Sequence, residues 1–150
     1  MTDFTSAYIR ASKTFRAVTE LSMRPLGLHL GQHLLLARLA ERDGQTPGEL
    51  AAAIRVTVPT VVKMSGRMAK AGWLTRRRDD LDNRLVRLHL TPAGRALLEP
   101  IQSALEDIDT RATAGLSERE RAQLLKLLDR VSTNAEKLLQ EWNAEAADCS

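Results

Sequence analysis

The side chains best suited to recognition chemistry lie between Thr57 and Arg84. Hydroxyls stand at Thr57 and Thr60, and cations at Lys63, Arg67, Arg76, Arg77, Arg78 and Arg84. Hydroxyl and ammonium groups reach base edges or phosphates, and guanidinium groups clamp phosphate oxygens in a two-pronged fork. Residues 55–95 carry 10 basic and 3 acidic side chains, against 6 and 5 before them and 6 and 11 after them. The net charge of +3 thus conceals a basic middle between a nearly neutral head and an acidic tail. That distribution fits a polyanion-binding module in a less charged scaffold. A solvated basic face has the same composition, so the elements carrying these residues must decide.

Other chemistries find little support. Catalysis needs a nucleophile with its base, paired carboxylates or a metal. The chain has no strand-turn-helix nucleophile motif and no glycine-rich phosphate loop, so no enzymatic activity and no cofactor are expected. His29, His33 and His89 supply too few donors for a four-coordinate zinc site, so no metal is expected either. Cys149 stands alone near the end, which rules out an internal disulfide and reads as a solvated thiol. Hydrophobic content of 43% and charged content of 27% are those of a folded domain. No apolar run approaches the roughly 20 residues that span a bilayer. The start MTDFTSAYIR lacks the order of a signal peptide, so a cytoplasmic protein without membrane contact is expected.

Periodicity places the polar cluster. Phe4, Tyr8, Ala11, Phe15 and Val18 step by four and three along one helix face, which Pro25 and Gly27 close. A second helix fits residues 32–42 and ends at Asp43-Gly44. Thr46, Pro47 and Glu49 form a capping box opening a short helix through Ile54. After the turn Arg55-Val56, Thr57 caps a helix to Lys70 or Ala71, stopped by Gly72. On that helix Val61, Met64, Met68 and Ala71 face inward, leaving Thr60, Lys63 and Arg67 outward, with Pro59 offering apolar contact. Gly66 in its middle costs about 1 kcal/mol relative to alanine and suggests close packing against another helix.

Residues 74–78 then read as a strand, and Val86, Leu88 and Leu90 alternate with Arg87 and His89 as a second. The polar loop 79–84 joins them into a hairpin. Its acids suit an anion binder poorly: either Asp82 pairs with Arg84 and aims it, or the loop is a simple polar turn. Thr91-Pro92 opens a helix past Ile101 and Ile108, which Pro100 is expected to kink or mark with a local irregularity. Gly115 breaks it. Ser117 and Glu120 box the last helix, whose Leu124, Leu128, Val131, Ala135, Leu138 and Trp142 form a coiled-coil seam.

Two short helices joined by a tight turn and followed by a hairpin are the order of a winged helix-turn-helix. The fold class expected is mainly α (α+β), with a two-stranded wing. In this arrangement the second helix enters the major groove and an arginine at the hairpin tip enters the minor groove.

At these residues the chain resembles the MarR family of bacterial regulators. The wing signature, Asp-x-Arg and then Leu-Thr-x-x-Gly, stands here as Asp82-Asn83-Arg84 and Leu90-Thr91-Pro92-Ala93-Gly94. Thr46-Pro47-Gly48-Glu49-Leu50-Ala51 and Ala71-Gly72-Trp73-Leu74 resemble the family's first helix of the pair and its exit from the second. The resemblance implies one domain over residues 1–150, with dimerisation helices in 1–30 and 95–150 around a winged lobe at 31–94. It implies a homodimer on a pseudo-palindromic operator in double-stranded DNA, most often a repressor. DNA contacts fall to Thr57, Pro59, Thr60, Lys63, Arg67, Arg76, Arg77, Arg78, Asp82 and Arg84. A small aromatic or phenolic effector is implied in a crevice at Phe15, Arg16, Met23 and His33. Apart from the resemblance, Phe15 and Met23 also read as core and Arg16 as a solvated face. The rival reading is a winged helix kept for protein contact, which predicts an eroded basic surface.

Overall fold

The computed structural model describes residues 3–29 and 31–148. Helix α1 (Phe4–Met23) starts where the Asp3 carboxylate accepts the Ser6 N–H at 2.7 Å. A 3-10 turn over Arg24–Leu26 ends at Gly27, whose φ of 76° suits glycine. Helices α2 (Gln32–Glu41), α3 (Pro47–Ile54) and α4 (Val58–Lys70) follow, then strands β1 (Leu74–Arg78) and β2 (Val86–Leu90). Helices α5 (Pro92–Ala96), α6 (Leu98–Ala112) and α7 (Glu118–Asp148) complete the order.

The chain packs as two compact units, one ending at Ile108 and one beginning at Asp109. In the first, Leu35, Leu36 and Leu39 of α2 meet Leu50, Val61, Met68, Leu74 and Leu88 in a core to which Ile101 of α6 also contributes. The strands are antiparallel, pairing Leu74 with Leu90 and Arg78 with Val86. A single bridge from Gln45 to Leu88 adds a third backbone segment to this sheet. Gln45 is buried, and its side-chain amide donates to the Arg38 and Arg42 carbonyls at 2.9 and 2.6 Å. It thereby adds a second donor to the Arg38 carbonyl, which also accepts the Arg42 N–H, and satisfies the Arg42 carbonyl at the end of α2.

The long helix after Thr91 breaks at Leu97, not at Pro100. Proline acts four residues upstream: it has no N–H for the Ala96 carbonyl, and its ring crowds that carbonyl. The helix therefore yields between Ala96 and Leu98 and resumes where the Ile101 N–H reaches Leu97.

In the second unit, Ser117 and Glu120 close a reciprocal cap at the start of α7. The Arg121 guanidinium donates to Thr113 Oγ1, tying the turn to the helix. Along α7, Leu124, Leu128, Leu138 and Trp142 are 39%, 41%, 46% and 64% exposed, so the apolar seam lies open on the single chain. Phe4, Tyr8, Phe15 and Val18 of α1 are exposed in the same way.

Candidate nucleic-acid interface

The pair α3 and α4 is set by local chemistry. Thr46 accepts the Glu49 N–H and Glu49 accepts the Thr46 N–H, completing the expected box. That second bond, and then the Arg42 guanidinium, hold the Glu49 carboxyl below the usual range. Arg55 closes α3 in the left-handed region at φ 55°, a conformation that costs a non-glycine residue about 1–2 kcal/mol. The turn is thus tight, and it fixes the direction in which α4 departs. Thr57 caps α4 by accepting the Thr60 N–H at 3.3 Å, and the two threonine hydroxyls lie 2.8 Å apart.

Val61 and Met68 are buried and Met64 is half-buried, as the periodicity requires. Ala71 is exposed instead, because it is the C-cap, where the chain has already begun to turn toward Gly72. The extra inward place is taken by Ser65, fully buried, whose hydroxyl donates to the Val62 carbonyl at 3.1 Å. Thr57, Pro59, Thr60, Lys63 and Arg67 are all exposed. Thr60, Lys63 and Arg67 border a cleft of about 260 Å³ with His29, Gln32 and Met64.

Arg76 is exposed like its strand neighbours but also turns back onto α4. Its guanidinium donates to the Val62 carbonyl at 3.0 Å and to Ser65 Oγ at 3.1 Å, pinning β1 against α4. Gly66 faces this guanidinium and not another helix: a Cβ there would stand 3.5 Å from Arg76 Nη2. Arg77 and Arg78 remain exposed on the strand.

The wing loop is organised by its acids. The Asp79 carboxylate accepts the N–H groups of Leu81 and Asp82 at 2.8 and 2.9 Å and the Nε–H of Arg87. The Arg87 bond first, then the two backbone donors, hold Asp79 at about 2. Asp82 accepts the Arg84 N–H at 3.0 Å and lies 3.7 Å from its Nε. Both readings left open for Asp82 describe this geometry: it closes a polar turn on the Arg84 N–H and lies within ion-pair reach of the Arg84 guanidinium. The Arg84 side chain is itself 94% exposed and projects from the tip.

Arg87 is the residue that pattern reading missed. It looked like an outward position of an alternating strand, yet it reaches Asp79, the Gly44 carbonyl at 2.8 Å and Glu49 at 3.9 Å. The available signal was a cation paired across the hairpin with another, Arg77, which needs a nearby carboxylate.

Beside α1 lies a larger cavity of about 390 Å³. Arg16, Met23 and His33 line it with Thr19, Leu34 and Met64, whereas Phe15 is not among its lining residues. Phe15 is not core either, being 47% exposed, while Met23 is buried. Burial pushes the His33 imidazole below its ordinary value, so it is neutral near pH 7. Among the described residues, no three His, Cys, Asp or Glu side chains cluster as a metal site. No helix among them is long and apolar enough to cross a membrane. Cys149 lies outside the described residues.

Comparison with known proteins agrees with this architecture. Residues 28–86, from the end of the first helical segment to the start of β2, match the model of the MarR family. The regulator BilQ of Clostridium symbiosum is 28% identical over 110 residues, covering 73% of this chain and 76% of that one. The HTH-type transcriptional repressor Rv2887 of Mycobacterium tuberculosis is 24% identical over 125 residues, covering 83% and 90%. A probable transcriptional regulator from Pseudomonas aeruginosa, 29% identical, superposes with a TM-score of 0.77 over 86% of this chain and 96% of its own. Residues 28–86 therefore carry the winged helix of the MarR family, and most of the chain is similar to transcriptional regulators.

Proposed function

We propose that the chain works in the cytoplasm as a homodimeric repressor of a pseudo-palindromic operator, released by a small aromatic or phenolic anion. The observation that carries the operator reading is the wing tip. Asp79 and Arg87 fix the loop, and from its tip the Arg84 side chain, beside Asp82, projects 94% exposed along with Leu81. Projecting arginine is suited to the negative potential of a narrow minor groove. On α4, Thr57, Pro59, Thr60, Lys63 and Arg67 are exposed and suited to meet base edges and phosphates. Arg77 and Arg78 add phosphate contacts. Arg76 serves by holding β1 to α4, so that wing and helix approach DNA as one piece.

The dimer reading rests on the open apolar faces of α1 and α7, which a second copy would cover. The effector reading rests on the 390 Å³ cavity, where Arg16 and neutral His33 supply donors among the apolar Met23, Leu34 and Met64. Because Met64 belongs to α4, an occupant would press on the helix that reads DNA. Repression accords with the Mycobacterium tuberculosis relative, which is a transcriptional repressor.

The test is a nuclease footprint on DNA upstream of the chain's own gene, with the solution mass measured in parallel. Two protected half-sites about one helical turn apart, under a particle of two chains, support the proposal. A single protected patch under a monomer contradicts it.

A further inference from the structure

The outward face of α4 is not uniformly polar. Val58 and Val62 are 46% and 44% exposed and stand four residues apart. With exposed Pro59 they form one apolar strip along the first two turns, beside Lys63. A single surface valine needs no explanation, but two in register with a proline form a feature.

The polar groups around this strip are mostly engaged. Thr57 Oγ1 caps the helix and lies 2.8 Å from Thr60 Oγ1, so one hydroxyl donates to the other and a single O–H stays free for a partner. The Arg76 guanidinium turns back to the Val62 carbonyl and Ser65. What the first two turns offer a partner is therefore largely carbon, with Lys63 and Arg67 on the flank.

In the major groove, one base-pair feature is apolar: the C5 methyl of thymine. The other groups there are hydrogen-bond donors and acceptors. Valines laid against a G·C pair would strip water from those groups and return no bond.

We propose that Val58 and Val62, with Pro59, read thymine methyl groups, so that A·T pairs stand where the first two turns of α4 meet each half-site. This assignment rests on the reading that α4 enters the major groove. It makes these valines specificity-determining residues, while the cations beside them supply affinity.

The test uses the full chain and duplexes that it enriches from a random-sequence pool. Replacing thymidine by deoxyuridine removes the C5 methyl and leaves pairing and phosphates intact. The expected result is A·T pairs at the same positions of both half-sites, with affinity falling about fourfold for each methyl lost, the worth of one buried carbon. The variant V58A/V62A should bind the thymidine duplex more weakly and no longer distinguish it from the deoxyuridine form. Equal affinity of the unaltered chain for both duplexes would overturn the assignment without touching the operator reading. Failure to enrich any sequence would overturn the operator reading, and the assignment with it.

Discussion

Arg87 donates its Nε–H to the Asp79 carboxylate and its Nη1–H to the Gly44 carbonyl, joining the wing loop to the connection between α2 and α3. Glu49, 3.9 Å away, is itself bonded to Arg42 at 3.1 Å. Charges of alternating sign thus run from the end of α2 through α3 into the wing. Each pair alone, near the surface, adds little to stability, but the chain of them sets the wing's attitude. The consequence to expect is a loss of wing order, not of the fold.

Replacing Asp79 by Asn should therefore speed hydrogen exchange at Leu81 and Asp82, weaken operator binding, and lower the melting temperature slightly at neutral pH. The pH dependence has a definite sign. The Asp79 carboxyl is held at about 2, below the ordinary 3.8, so its contribution is complete above about pH 4 and is lost as pH falls toward 2. Asp79→Asn should flatten the stability profile in that window. His33, pushed below 6.5 by burial, acts in the same direction at higher pH: stability falls as pH drops below 6.5, since the unfolded chain takes up the proton first. Chemical denaturation from pH 8 to pH 3 measures both. An unchanged profile in Asp79→Asn would disconnect Arg87 from the wing.

Arg84→Ala should cost operator affinity about 1–3 kcal/mol, roughly 5- to 150-fold, because the side chain projects from the tip. With 94% of that side chain exposed, neither folding nor subunit mass should change. Fluorescence anisotropy with labelled operator gives the affinity, and light scattering the mass. Full affinity in the variant would mean that the wing does not touch DNA.

Much of this architecture was legible because its punctuation is chemically explicit. Thr46-Pro47-x-Glu49, Thr57 and Thr91-Pro92 each open a helix where the caps require it, and the register of Val86, Leu88 and Leu90 places the wing. What pattern reading could not supply were side chains acting across elements. Arg76 and Arg87 look like surface cations until the partner elements come within reach. Gln45 looks like loop polarity until its amide meets the end of α2. Phe15 shares the apolar face of α1, but the cavity opens along the neighbouring face through Arg16, Thr19, Glu20 and Met23. Val58 and Val62 fell between the inward and polar outward faces that period counting distinguishes.

Two glycines should respond oppositely to alanine. At Gly94 an added Cβ would fall onto the Trp73 carbonyl, a backbone atom that cannot move aside. That close approach explains the glycine of the wing signature, and Gly94→Ala should cost about 1–3 kcal/mol. At Gly66 the nearest neighbour is the mobile end of Arg76 at an ordinary 3.5 Å. Gly66→Ala should then gain up to about 1 kcal/mol from helix propensity. Thermal melts of the two variants decide, and a large loss in Gly66→Ala would show that the Arg76 contact tolerates no displacement.

The central claim is that α4 and the wing bind operator DNA through sequence and phosphate contacts. A gel-shift titration of the full chain against DNA upstream of its own gene, with scrambled competitor and rising salt, tests it most directly. The account predicts specific retardation that resists the competitor and weakens by orders of magnitude between about 50 and 200 mM salt, as counterions are released from phosphates. No retardation at the lowest salt would contradict it, and would mark this winged helix as a surface for protein contact.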